Sequence, residues 1–298
     1  MVGTLHQPLW RSGQGNRGPL HSGRVIHDLS FPDVESVNST TDQAAIPSAS
    51  FEHCASIAQE TLRCQDSTPV AEITLMAGNV TRAYRNAGIH SDSVHLFADH
   101  IPEDNAIVID LAAAFGWTGS SGTYGVLGGA GAHIHSSCVN SAHAAGFYNY
   151  HWVDDHVNVA PDTCTNCADI DRSLRQAMTV VMGLAAVTEH KFTPWSTQLK
   201  VLGLIFDTVA KTVAMPHSKI IKAHHLVRHA THTCSLTRGE YRSLLGSLRH
   251  VATCVRPARV FLQRLREGER REHRVNRISV SSAMREDLHW WQHILHSP

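Results

Sequence analysis

The stretch Asn149-Tyr150-His151-Trp152-Val153-Asp154-Asp155-His156-Val157-Asn158 limits what this chain can fold into more than any other. Two adjacent carboxylates stand between runs of apolar and aromatic residues, 150–153 and 156–159. That pattern predicts an antiparallel hairpin with both acids at its tip. Like charges at such close range repel, and they stay ionised together only where something cationic offsets them. A hard divalent cation with oxygen ligands, above all Mg2+, is the natural partner. A polar turn would also accept Asp, so the hairpin alone leaves both readings open and the rest of the chain has to decide.

A chain of 298 residues with 42% hydrophobic content has enough apolar surface for one large core or two modest ones. No apolar run approaches the roughly 20 residues of a membrane span, and the first residues lack the basic and apolar regions of a signal peptide. Seven cysteines at irregular spacings make a poor disulfide framework. The expectation is a reduced, intracellular protein, cytoplasmic or nuclear, with no membrane partner. Net charge is zero only by cancellation. From Lys219 onward fifteen Lys and Arg face six Asp and Glu, while the preceding residues carry eleven against twenty. A basic C-terminal third suits a polyanionic partner, and the acidic front suits metal chemistry.

Three regions follow along the chain: 1–50, 51–215 and 216–298. The first is rich in Gly, Ser, Pro and Asn around one apolar run, Arg24-Val25-Ile26-His27-Asp28-Leu29. In the second, Ser50 is positioned to cap a helix that buries Phe51, Cys54, Ala55, Ala58 and Leu62. Strands are expected at 71–76, 93–98, 106–110 and 200–207. Ile170, Leu174, Ala177, Met178, Val181 and Met182 recur at helical spacing. In the third region Thr237 and Glu240 form a capping-box signature ahead of the stripe Tyr241, Leu244, Leu245, Leu248 and Val251. Pro257 ends that helix, and an arginine-rich helix with Phe261, Leu262 and Leu265 follows.

Taken in order, these segments resemble the polymerase domain of a retroelement reverse transcriptase over roughly residues 20–265, in particular that of the tyrosine-recombinase (DIRS-type) elements. Residues 24–32 resemble the fingers strand, and the resemblance implies that Arg24 contacts the incoming triphosphate. Phe115-Gly116-Trp117-Thr118-Gly119-Ser120-Ser121 resembles the loop that leads into a palm helix and holds template and nucleotide, with Ala114 and Ser121 where prolines are usual. Trp152-Val153-Asp154-Asp155 resembles the aromatic-x-Asp-Asp signature. Lys191 falls where a palm lysine often assists the leaving pyrophosphate, Leu202-Gly203-Leu204 resembles the primer-grip hairpin, and residues 244–248 with 256–259 resemble the segment that follows it. The implied fold is an α/β (α+β) polymerase right hand: partial fingers and an N-terminal tail in 1–50, a palm in 51–215, and a helical, basic, thumb-like region in 216–298. The implied activity is RNA-directed DNA polymerisation by two-metal nucleotidyl transfer with Mg2+ or Mn2+. Its implied partners are an RNA or DNA template-primer and deoxynucleoside triphosphates.

Two-metal transfer draws its carboxylates from two strands, so that both ions sit over the reacting phosphate. In the family the second strand reads Asp-Val-x-x-Ala followed by an aromatic. The matching stretch here is Asn79-Val80-Thr81-Arg82-Ala83-Tyr84, with asparagine where the aspartate belongs. Tyr84 then matches the aromatic gate against the nucleotide 2′ hydroxyl. Asp110 also stands five residues before an aromatic, Phe115, but only 44 residues before Asp154, whereas position 79 stands 75 residues before it. The longer spacing suits the family order, which leaves Asp154 and Asp155 as metal ligands opposite a degenerate Asn79. A missing carboxylate of this kind costs roughly 3–5 kcal/mol, or about 10²–10⁴ in rate if it acts in the transition state. Gly122, Gly125, Gly128, Gly129 and Gly131 crowd the predicted palm helix, each costing up to about 1 kcal/mol against alanine unless it permits a close approach. The expectation is therefore an impaired, truncated polymerase copy, or else a non-catalytic nucleic-acid-binding remnant.

Other chemistries find little support. Cys164-Thr165-Asn166-Cys167 has the spacing of half a zinc site but no second half. The 23 histidines include no His-Glu-x-x-His pattern. Ser120 lacks the nucleophile-elbow context of a serine hydrolase, and the glycines near Gly128 do not form a dinucleotide-binding fingerprint.

Overall fold

The computed structural model describes residues 9–13, 23–32, 34–48, 50–101, 104–271 and 277–296, without the side chains of 9–13 and 23–26. Two compact units share the chain, Met1–Thr197 and Gln198–Pro298.

In the first unit, β1 (Leu9–Gly13) and β2 (Gly23–His27) form an antiparallel pair. The short α1 (Val37–Thr40) and the longer α2 (Ala55–Ser67) follow, and then β3 (Ile73–Asn79). Next come the two-stranded β4 (Ala98–Ile101) and β5 (Ala106–Ile109), and α3 (Ser120–Ser136). β6 (Tyr150–Trp152), β7 (Asp155–Pro161) and α4 (Asn166–Met182) complete the unit. The central sheet runs β3-β7-β6, antiparallel throughout. Met76, Val80, Tyr124, Leu174 and Met178 make one buried cluster from β3, α3 and α4. Each such side chain contributes on the order of 1.5–3 kcal/mol of burial.

The second unit opens with β8 (Gln198–Val201), β9 (Leu204–Asp207) and β10 (Thr212–Ala214), a three-stranded antiparallel sheet in the order β10-β9-β8. α5 (His217–His232) leads to β11 (Ser235–Thr237) and α6 (Arg238–Cys254). After a 3-10 segment over Arg256–Leu262 come α7 (Gln263–Arg271), β12 (Arg277–Ser279), which pairs with β11, and α8 (Ser282–His296).

The expected α+β architecture holds, and so do several elements within it. α4 buries Ile170, Leu174, Ala177 and Met178. At α6 the capping box is complete, with Thr237 and Glu240 each accepting from the other's backbone N–H, and the full predicted stripe is buried. Four expectations need correction. α2 begins at Ala55, beyond the reach of Ser50 as a cap, and buries Ile57, Glu60, Thr61 and Cys64 while Leu62 stays exposed. The inward face lies about a third of a turn from the expected one. Residues 91–97 form a 3-10 helix, not a strand, because the His90 side chain accepts from the Asp92 N–H and opens a turn. The strand starts at Ala98, where the chain pairs with β5. Residues 200–207 form two strands, because Leu202 and Gly203 both take positive φ (52° and 75°) and close a tight hairpin turn. Phe261 and Leu262 lie in the 3-10 segment after Pro257, with only Leu265 in α7.

The glycines of α3 divide by neighbourhood. A Cβ on Gly128 would stand 2.7 Å from His151 Nε2 of β6, and one on Gly122 would stand 2.5 Å from Ile46 and from the Pro47 carbonyl oxygen. Gly129 has nothing within 4 Å. Absent side chains thus let α3 approach the β6–β7 hairpin at Gly128, whereas Gly129 only weakens the helix. Gly129→Ala should stabilise the protein by up to about 1 kcal/mol. Gly128→Ala should destabilise it by about 1–3 kcal/mol through overpacking. Urea unfolding of both variants checks the opposite signs.

Candidate active site

Seven consecutive residue pairs register β3 against β7, from Ile73 opposite Pro161 to Asn79 opposite Asp155. β6 pairs with the other edge of β7, with Trp152 opposite Asp155. The turn between them is Val153-Asp154, so Asp155 is the first residue of β7 and not, as the sequence suggests, part of the tip. Val153 takes φ 52°. A β-branched residue pays strain there, and Val153 is held by packing against the buried cluster of β3, α3 and α4. His151 Nε2 also lies 2.7 Å from the Val153 carbonyl oxygen and donates to it, bracing the turn from below.

This geometry brings Asn79 to both acids. Its Nδ2 donates to Asp154 Oδ2 at 2.9 Å and to Asp155 Oδ1 at 2.8 Å. The Val80 N–H donates to the Asp154 carbonyl oxygen, which ties the ends of the two strands together. Asp155 is held above the ordinary carboxylate value. Burial is the main cause; the Asn79 hydrogen bond opposes it, Asp154 adds repulsion, and the Lys191 charge pulls back down. Tyr124 beneath the site is pushed well up, mostly by burial and further by both carboxylates. Asp110 is elsewhere: it pairs with Arg85 and lies 3.4 Å from Nδ1 of the fully buried His27. Burial alone would raise its pKa, but the His27 and Arg85 hydrogen bonds outweigh that and hold it below 3.8. Asp110 is spent on this network, and Asn79 is the residue that faces the hairpin.

The remaining predicted residues fall as follows. Tyr84 lies in the 3-10 segment Ala83–Asn86, with its ring centre 5.0 Å from that of Phe115 and 5.9 Å from that of Tyr124. Phe115 accepts the His27 N–H at its carbonyl. Gly116, at φ 119°, passes so close to the His27 carbonyl oxygen that a Cβ would stand 1.8 Å from it. Asn38 fixes the same loop, donating to the Gly116 carbonyl and accepting the Thr118 N–H. Lys191 ends a 3-10 turn after α4, close enough for its charge to act on Asp155. Arg24 is on β2, but its side chain lies outside the described residues. Cys164 and Cys167 are free thiols, and Cys167 packs against Thr74.

One polar layer escaped the sequence reading. His156 is wholly buried and stacks on His151 with ring centres 4.7 Å apart. His135 of α3 bridges Ser173 of α4 (2.9 Å) and Asn158 of β7 (2.8 Å). The signal was available, because period-two alternation puts His156 and Asn158 on one face of a buried strand, where each needs a polar partner.

Whether the residues at the tip suit the two cations of a polymerase depends on the donor set. Among the described residues no group of three His, Cys, Asp or Glu side chains converges on a metal-sized space. Asn79 turns N–H groups, not oxygen, toward the carboxylates, and its Oδ1 is buried without a hydrogen-bond partner among the described residues. Offering Oδ1 to a metal would require a half-turn of the amide, and would take two charge-assisted bonds of about 1.5–3 kcal/mol each from the acids. The set as folded does not fit two divalent cations.

No protein-family model matches the chain, and no curated protein matches it. Solved structures do. The chain is similar to a foamy viral protease-reverse transcriptase in complex with double-stranded DNA, at TM-score 0.64 and 13% identity over 99% of this chain and 44% of that one. A second structure of that protein with double-stranded DNA gives TM-score 0.62 and 13% identity over 99% and 52%. One with an RNA/DNA hybrid gives 0.61 and 14% over 97% and 33%. The fold is therefore that of a reverse-transcriptase polymerase, and the chain spans about half or less of the proteins it matches.

Burial holds the imidazoles of His135, His143, His151 and His156 below their ordinary value of 6.5. Unfolding frees them to bind protons that the folded chain refuses. Their stabilisation is complete above about pH 6.5 and is lost as pH falls toward the folded values. Asp155 and Asp287, which burial holds above their ordinary carboxylate value, act the other way. Unfolding free energies from urea titrations should fall as pH drops below about 6.5, at up to about 1.4 kcal/mol per pH unit for each histidine that titrates. A flat profile would contradict the burial of these rings.

Proposed function

We propose that this chain is the polymerase domain of a retroelement reverse transcriptase, similar to that of the tyrosine-recombinase (DIRS-type) elements, in a copy whose nucleotidyl transfer is impaired. The observation that carries this reading is the pair of hydrogen bonds from Asn79 to Asp154 and Asp155, at the facing ends of β3 and β7. That is the place where a two-metal polymerase needs a third carboxylate, and the chain has an amide.

The surroundings support a polymerase origin. The rings of Tyr84 and Phe115 meet at a tilt of 46°, as a nucleotide gate and its loop would. Lys191 supplies positive charge next to Asp155, where a triphosphate's leaving group would lie. Template-primer duplex of RNA or DNA is the proposed macromolecular partner, deoxynucleoside triphosphates the proposed substrate class, and Mg2+ or Mn2+ the cation that a restored site would admit. No helix among the described residues is long and apolar enough to cross a membrane, and the cytoplasm or nucleus is the proposed location.

A second reading, a nucleic-acid-binding remnant with no catalysis, draws on the arginines of the second unit. Arg242, Arg249, Arg264 and Arg271 each pair with a glutamate or aspartate, and Arg256, Arg266 and Arg270 are exposed as well. Both readings expect duplex binding that weakens as salt rises.

Primer extension with Mg2+ or Mn2+ separates them. Asn79→Asp should extend a primer about 10²–10⁴ times faster than the chain as given. Equal rates in both would remove Asn79 as the cause of impairment. Salt-dependent duplex binding with no extension by either protein would favour the remnant, and no binding at low salt would rule out both.

A further inference from the structure

The mismatch between this site and a pair of divalent cations has a consequence for how the chain folds. Asp154 and Asp155 are adjacent, Asp155 is partly buried, and the two carboxylates repel each other unless something compensates. Yet the hairpin closes with Asp155 paired across both neighbouring strands. The compensation visible in the structure is one amide nitrogen, whose two N–H bonds reach one oxygen of each acid. Lys191 adds charge at Asp155. The buried Asn79 Oδ1, left without a hydrogen-bond partner, shows what the amide gives up to hold this orientation.

We propose that Asn79 is an internal substitute for the cation, so that the Asp154-Asp155 hairpin forms and keeps its shape with no divalent metal. The inference rests on the reading of Asn79 as the position of the missing carboxylate, and it goes further. The substitution removes a ligand, and it also frees the fold from the metal. In this account aspartate at position 79 would place three carboxylates together with no donor among them, and the fold would then depend on a cation. Alanine would remove the donors without adding a charge, which exposes the two acids to each other and opens space between them.

Thermal unfolding in EDTA, in Mg2+ and in Mn2+, with Mn2+ binding followed by its paramagnetic resonance signal, tests this without reference to catalysis. The chain as given should melt within about 1 °C under all three conditions and bind no Mn2+ at the hairpin. Asn79→Asp should melt lower in EDTA and recover by on the order of 5 °C with Mn2+ near saturation. Asn79→Ala should also melt lower than the parent in EDTA, and Mn2+ should restore it in part. Two results would overturn the proposal: a parent that binds Mn2+ as tightly as Asn79→Asp does, or an Asn79→Ala variant as stable as the parent in EDTA. Metal-dependent stabilisation of Asn79→Asp with no gain in primer extension would remove the polymerase reading and leave this one intact.

Discussion

The register of β3 on β7 is the constraint on which the rest of the site depends. Side chains alternate faces along a strand, so a slip of one residue would send Asn79 to the opposite face from Asp155, and β3, which is buried on both faces, would have to repack on each. Gly78 helps to fix that register. It pairs with His156, and a Cβ there would stand 2.6 Å from the Phe192 ring and 3.0 Å from Leu174. Phe192 can cross β3 only over a residue with no side chain, and it bridges back to Gly78 as it does so. The crossing also carries the chain past Lys191 just beside the hairpin, so the position of one charge near Asp155 is inherited from the packing of an aromatic ring on a glycine.

The hairpin itself is held from both sides. On one side are the Asn79 amide and the Val80 N–H. On the other is a layer of polar groups inside an otherwise apolar interior: His151 under the Val153 carbonyl, His156 stacked on it, and His135 clamping Asn158 to Ser173. Buried polar groups are costly unless partnered, and here His156 Nε2 and Asn158 Nδ2 have no hydrogen-bond partner among the described residues. Neutral rings limit that cost, and burial keeps them neutral. A layer of this kind fixes one arrangement of α3, α4 and β7 more firmly than an apolar layer would, because sliding any element breaks a directional bond.

What the sequence made legible follows the same physics. The acid pair, the α4 spacing and the α6 capping box were readable because each is a local pattern with one structural meaning. The choice between Asn79 and Asp110 was readable only as a spacing argument. In the fold, Asn79 faces the hairpin while Arg85 and His27 engage Asp110, three segments far apart in sequence meeting around one carboxylate. α2 was misjudged because alanines and cysteines carry little directional signal, and the face that packs inward is the one carrying Ile57, Thr61 and Cys64. Residues 91–97 alternate like a strand, but a local side-chain cap at His90 overrides that pattern. The glycines of α3 looked like uniform damage to a helix. Gly128 and Gly122 are contact points, and only neighbours remote in sequence reveal the difference.

Loss of a catalytic aspartate is usually pictured as leaving a hole in a site built for charge. An asparagine leaves a different result here, because it matches the aspartate in size and replaces an acceptor with a donor at the point where two acids converge. The repulsion that a cation would have offset is offset within the chain, and the turn at Val153 retains its strained backbone because the contacts that impose it remain. A site altered in this way keeps its geometry. The sheet and the residues packed around it then face no new instability under the function proposed above. Preservation of shape is therefore weak evidence for preservation of chemistry in this fold, and the identity of the single atom that Asn79 turns toward Asp154 and Asp155 carries more information about function than the rest of the palm.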